Sequence, residues 1–292
     1  MRSSRAAESD APAGLGACAY TPLLRVLAGT LVALSGASLP AMLVLGMLSP
    51  VPVPLAAWVR ALVAFAAAPG VLAALIRRAL AVGVEVHETE LVVHRRGLRL
   101  QVPAAAIERV MPWTIPLPGP GFWLRMRLGR RLSYGLQAPD PSRILSALAE
   151  VAGVEAARRA MCHPALVYAS AKRSGGQWHW YHIMVKFFLF ALLPAAVWFN
   201  LTQHVTFGGL FGQYYLEGLG PYLRTFGIHW GLVTVYLILY ASVWRGLAEA
   251  ASLLVAWLIP ERAASVRWLA EVSCRLLYYV GVPVIVALPF LR

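Results

Sequence analysis

Two groups of histidines in this chain are spaced for chemistry. His179 and His182 are one helical turn apart, with His163 upstream beside Cys162. Imidazoles at i and i+3 share a helix face and can share a metal. No third ligand at a recognised spacing accompanies them, and Trp178, Trp180 and Tyr181 surround them. Residues of an interfacial aromatic belt with polar tips are therefore the simpler account, and no cofactor is expected. His204 and His229 flank a loop, 206–225, rich in Gly, Phe and Tyr. With Glu217, Asn200 and Gln203 they are expected to gather into a polar cluster. Such a cluster can bind a ligand or act as a general base, and it can equally do no more than satisfy the loop's own hydrogen bonds.

The basic residues offer a different chemistry. Arg125, Arg127, Arg130 and Arg131 alternate with apolar residues on two adjoining strand-like runs. A stripe of that kind suits anionic phospholipid or an acidic partner, each near-surface charge contributing on the order of 1 kcal/mol, and suits a plain solvated face as well. Lys186 and Arg60 fall just inside apolar segments, where long basic side chains snorkel to the interface. The sequence has no Gly-rich phosphate loop, no nucleophile elbow, no paired acids on one face of a span and no evident internal repeat, which weakens a transporter reading.

What must position these groups is a membrane protein. Hydrophobic residues make up 59% of the 292, and the mean hydropathy is +0.65. The formal charge of +13 would suit nucleic acid. Its distribution argues against that reading, because the arginines cluster in one segment and at helix ends, as where loops face anionic lipid. Cys18, Cys162 and Cys274 are odd in number and far apart, so neither a disulfide framework nor a thiolate metal site is indicated.

About five spans are expected. The first two form a hairpin over 22–82, joined by the Pro-rich 49–54, with a kink at Pro69-Gly70. Three more occupy 180–292, and each needs about 20 residues to cross roughly 30 Å of hydrocarbon. Residues 1–21 read as a tail and 154–179 as a linker. The first apolar run is too long for a signal peptide and reads as a retained anchor. Arg2, Arg5, Arg25, Arg77, Arg78, Lys172 and Arg173 all fall on one side if the spans alternate, which predicts a cytoplasmic N-terminus and a periplasmic C-terminus in a bacterial inner membrane.

Between the membrane blocks, 83–153 reads as antiparallel β structure. Leu98, Leu100 and Val102 alternate with polar residues, as do Phe122, Leu124, Met126 and Leu128, and then Leu132, Tyr134 and Leu136. Asp140 suits an N-cap, Pro141 the first helical position, and Ile144, Leu145, Leu148 and Val151 one apolar stripe. This plan is a small barrel or sandwich closed by a helix. Runs around 84–87 and 91–95, a hairpin, the segment 102–110 and the Asp140-Pro141 helix together resemble the bacterial pleckstrin-homology-like domain. That resemblance covers about a quarter of the chain. It implies a binding module tethered to membrane spans, in some members an assembly factor, and it brings no catalytic residue.

After Phe226 no proline interrupts the sequence until Pro260, so 226–259 is expected to form one helix longer than the membrane is thick. The return after Pro260 makes a projecting hairpin, with Glu249 expected near Arg275. The expected function is a non-enzymatic scaffold or assembly factor that binds another integral membrane protein or anionic phospholipid. The alternatives are a membrane enzyme acting on a lipid-like substrate through His204, His229 and Glu217, and a small transporter.

Overall fold

The computed structural model describes residues 15–95, 98–127, 129, 131–174 and 180–287. Arg130 of the stripe and His179 of the histidine pair lie outside the described residues. The chain divides into two compact units: one of residues up to Ala33, Pro69–Ser174 and Ser252–Ala264, the other of Leu34–Ala68, Gly175–Ala251 and Ser265–Arg292.

The first unit is built on a curled antiparallel sheet of seven strands: β1 (Leu15–Tyr20), β2 (Ala81–Val86), β3 (Glu90–Arg95), β4 (Leu98–Pro103), β5 (Ile107–Pro112), β6 (Gly121–Met126) and β7 (Gly135–Gln137). Their order is β4-β3-β2-β1-β7-β6-β5. The expected tail thus supplies the central strand: Gly16 lies opposite Gly83 and Cys18 opposite both Ala81 and Gln137. Its alternation is weak, because after Leu15 the strand presents only the small Ala17 and Ala19 to the core. The expected strand at 132–136 is also corrected. It contracts to a bridge at Arg131 and to β7, and Tyr134 is exposed. Gly135 sits against the Trp113 and Trp123 rings, where an added Cβ would meet them at 3.0 and 3.1 Å.

Helix α1 (Pro22–Leu48) and α2 (Leu55–Ala79) flank the first loop, and α3 (Pro141–Glu150) follows the sheet. Ile144, Leu145 and Leu148 of α3 are fully buried against Val84, Leu91, Phe122 and Leu124, each such side chain contributing roughly 1.5–3 kcal/mol. Val151 falls off this stripe, half exposed past the end of the helix. The expected linker is helical: α4 (Glu155–Met161) joins the core of the sheet, and α5 (Pro164–Ser174) packs Tyr168 and Ala171 on Ala256 and Ala263.

Helix α6 (Tyr181–Phe207), the short α7 (Gly212–Glu217) and α8 (Leu219–Leu258) come next. Helix α8 is a single helix of 40 residues that starts seven residues before the expected Phe226. At 1.5 Å per residue it is about 60 Å long. A turn at Pro260–Arg262 leads into α9 (Ala263–Leu276), which continues through a π turn into α10 (Val282–Ala287). Among the described residues, four helices are long and apolar enough to cross a membrane: α1, α2, α6 and α8. The expected fifth, ending at Leu291, is not among them; its end past Ala287 lies outside the described residues. Where α2 passes through a π turn at Leu62–Ala67, the Ser35 and Ser38 hydroxyls of α1 donate to the Ala66 and Phe65 carbonyls at 2.7 and 3.0 Å. Backbone groups set at membrane depth are satisfied in this way.

Candidate functional site: a cationic strand row and two polar layers

On β6, Phe122 and Leu124 point into the core, which turns Arg125 to the opposite face. Arg125 lies opposite Arg109 of β5 and forms a bridge with Arg131. Directly opposed residues share a sheet face, so three guanidinium groups form one row across the strands, and like charges so placed repel. Within the row, Arg125 Nε stands 3.6 Å from Glu108 Oε2, and Arg127 is exposed beside it. The alternation named Arg125, Arg127, Arg130 and Arg131, of which Arg130 lies outside the described residues. Arg109 was missed, because register between β5 and β6 is not readable from either strand alone.

The second unit holds a charged layer between α8 and α9. Arg267, only 7% exposed, donates from Nη2 to Glu249 Oε1 at 3.0 Å and from Nε to Glu271 Oε1 at 3.0 Å. Its Nη1 lies 3.0 Å from Glu249 Oε2. The cation that Glu249 meets across the turn is therefore Arg267, eight residues nearer the turn than the expected Arg275. The reason is that Arg267 stands one helical turn from Glu271, so a single fork neutralises both carboxylates. Arg275 is exposed. A turn or two along, the Lys186 Nζ sits 4.3 Å from the Tyr278 ring centre, and the Tyr278 hydroxyl donates to the Lys186 carbonyl at 2.7 Å.

The histidine and glutamate loop also forms a layer, with a different membership from the expected one. Gln203, fully buried, donates from Nε2 to Gln213 Oε1 at 2.8 Å and accepts the Gln213 backbone N–H at 3.3 Å. Gln213 Nε2 spends its two hydrogens on Glu217 Oε2 at 2.8 Å and Thr225 Oγ1 at 3.1 Å. His229 donates from Nδ1 to the Thr225 carbonyl at 2.8 Å and meets the Thr202 hydroxyl at 3.4 Å through Nε2. His204 does not join them. It is exposed, and its backbone carbonyl accepts the Gly208 N–H that closes α6. The layer is a closed relay in which the groups satisfy one another, and its organiser is Gln213, which the sequence reading passed over.

The remaining histidines have local roles. His163 Nδ1 accepts the Ala165 N–H at 3.2 Å at the start of α5, and its ring meets Trp257 edge-on. Burial holds its pKa below the usual imidazole value. His182 stacks on Tyr181, with ring centres 4.2 Å apart. Among the described residues, no group of three His, Cys, Asp or Glu could hold a metal ion. No known protein family, curated protein or solved structure matches the chain.

Proposed function

We propose that the protein is a non-enzymatic scaffold or assembly factor of a bacterial inner membrane. Its sheet faces the cytoplasm and binds an acidic surface of another integral membrane protein or the headgroups of anionic phospholipid. The observation that carries this reading is the row Arg109, Arg125 and Arg131, with Arg127 beside it. Three opposed cations cost stability in a free sheet, and an anionic partner offsets that cost. A pleckstrin-homology-like identity is supported by the seven antiparallel strands and the helix seated on their core. The orientation rests on the arginines at the sheet end of the first helical hairpin, Arg25, Arg77 and Arg78. Five spans follow if the run from Ala263 crosses with its charged first half held at the interface.

An enzyme reading through His204, His229 and Glu217 has less support, since the Gln203–Gln213–Glu217 relay is internally satisfied and His204 stands outside it. The test is native mass spectrometry of gently extracted wild type and of the R125A/R127A/R131A variant. The wild type is expected to carry a stoichiometric protein or anionic phospholipid that the variant loses. Equal retention by both overturns the assignment of that surface. A lone wild-type protein carrying a small lipid-like substrate that His229→Ala releases would favour the enzyme.

A further inference from the structure

The loop between β5 and β6 is apolar and rich in proline, and it lies against a helix that qualifies as a membrane span. Within 112–121, Pro112, Pro116, Pro118 and Pro120 have no N–H. Of the remaining groups, the Trp113 N–H donates to the Gly121 carbonyl at 2.8 Å and the Leu117 N–H to the Ile115 carbonyl at 2.9 Å. The Ile115 carbonyl also accepts Arg25 Nη2 of α1 at 3.2 Å. In hydrocarbon each unsatisfied backbone group costs several kcal/mol, and four prolines leave this loop with four fewer N–H groups to satisfy.

Depth can be read from the arginines. Arg25 near the start of α1, and Arg77 and Arg78 near the end of α2, stand at one level, because Leu24, Ala28, Ile76 and Leu80 share a single cluster with Tyr20 and Trp113. Basic residues at the ends of two apolar helices mark a headgroup plane. Trp113 lies in it, with the Arg25 guanidinium 4.2 Å from its ring centre. A Cβ at Gly29 would lie 3.6 Å from the Leu117 backbone. Gly29 is four residues past Arg25 into the span, about 6 Å along the axis. One residue past Arg25 into the span, Val26 of α1 is largely exposed, as is Ile115 at the loop tip, by 60%.

The geometry points to a membrane-inserted loop: Ile115, Pro116 and Leu117 dip below the headgroup plane that Arg25, Arg77 and Arg78 mark, and sit at the acyl-chain boundary of the bilayer that surrounds α1. The occupant follows from what the loop packs on, since Leu117 lies against Gly29 in the apolar run of α1 that must meet lipid. The loop thus fixes the sheet to the membrane at a second point besides its helices. This inference is independent of the arginine row and of which side the sheet occupies.

The test is nitroxide labelling through a genetically encoded ketone side chain at position 115 or, should that site fold poorly, at the exposed Thr114. The full chain is reconstituted in phospholipid nanodiscs. Collision with oxygen, which partitions into lipid, is compared with collision with a water-soluble nickel chelate. A label at 115 or 114 is expected to favour oxygen several-fold over a label at the exposed Val151, approaching a label at Leu34 of α1. A ratio equal to that at Val151 overturns the insertion.

Discussion

Arg267 bridges Glu249 and Glu271, holding a carboxylate on each arm of a helical hairpin with N–O separations of 3.0 Å. One nearly buried cation serves two acids, and the exposed Arg275 is left outside this pair of contacts. The layer is a plain example of charge held among helices by mutual pairing, where an unpaired member would be expensive.

Arg267→Leu should therefore destabilise the protein by on the order of 3 kcal/mol, because it removes the nearly buried cation that both carboxylates share. Arg275→Leu should change stability by no more than about 0.5 kcal/mol, as an exposed substitution. Thermal unfolding in detergent, followed by tryptophan fluorescence, separates the two. Equal effects of both variants would contradict the bridging role.

A similar contrast distinguishes the members of the glutamine layer. Gln203→Leu removes the partner of the Gln213 carbonyl and of the Gln213 backbone N–H, a loss of about 1–3 kcal/mol. His204→Ala should be close to neutral, since the side chain is exposed and the helix cap it precedes uses only its backbone. The measurement is the unfolding midpoint of each variant in the same detergent.

Tyr20 provides a pH signature for the sheet. Its phenol is fully buried, and burial, reinforced by Cys18 and opposed by Arg77, pushes its pKa up to about 12. An unfolded tyrosine ionises near 10, so between these values the unfolded chain loses a proton that the folded chain keeps. Stability is fully present below about pH 10 and is lost as pH rises through about 12, by on the order of 2–3 kcal/mol. Tyr20→Phe should flatten that fall. Circular dichroism of the sheet against alkaline pH would record it, and an unchanged profile would mean that the phenol is not held neutral by its surroundings.

The sequence by itself determined the elements whose signals are local. Long apolar runs identify α1, α2, α6 and α8, since burying a helix in lipid depends on composition over about 20 consecutive residues. The absence of proline between Phe226 and Pro260 foretold one continuous helix, and the alternation of Phe122, Leu124 and Met126 foretold β6. The stripe Ile144, Leu145 and Leu148 placed the helix on the sheet for the same reason. Tertiary structure alone decided what depends on register and on partners distant in sequence. Leu15–Tyr20 is a central strand because β2 and β7 flank it, although its small residues carry only a weak period-two signal of their own. Arg109 joins Arg125 and Arg131 only through strand pairing. Arg267 displaces Arg275 as the partner of Glu249 because one fork between two acids is better than two separate pairs, a choice that spacing along either helix does not encode.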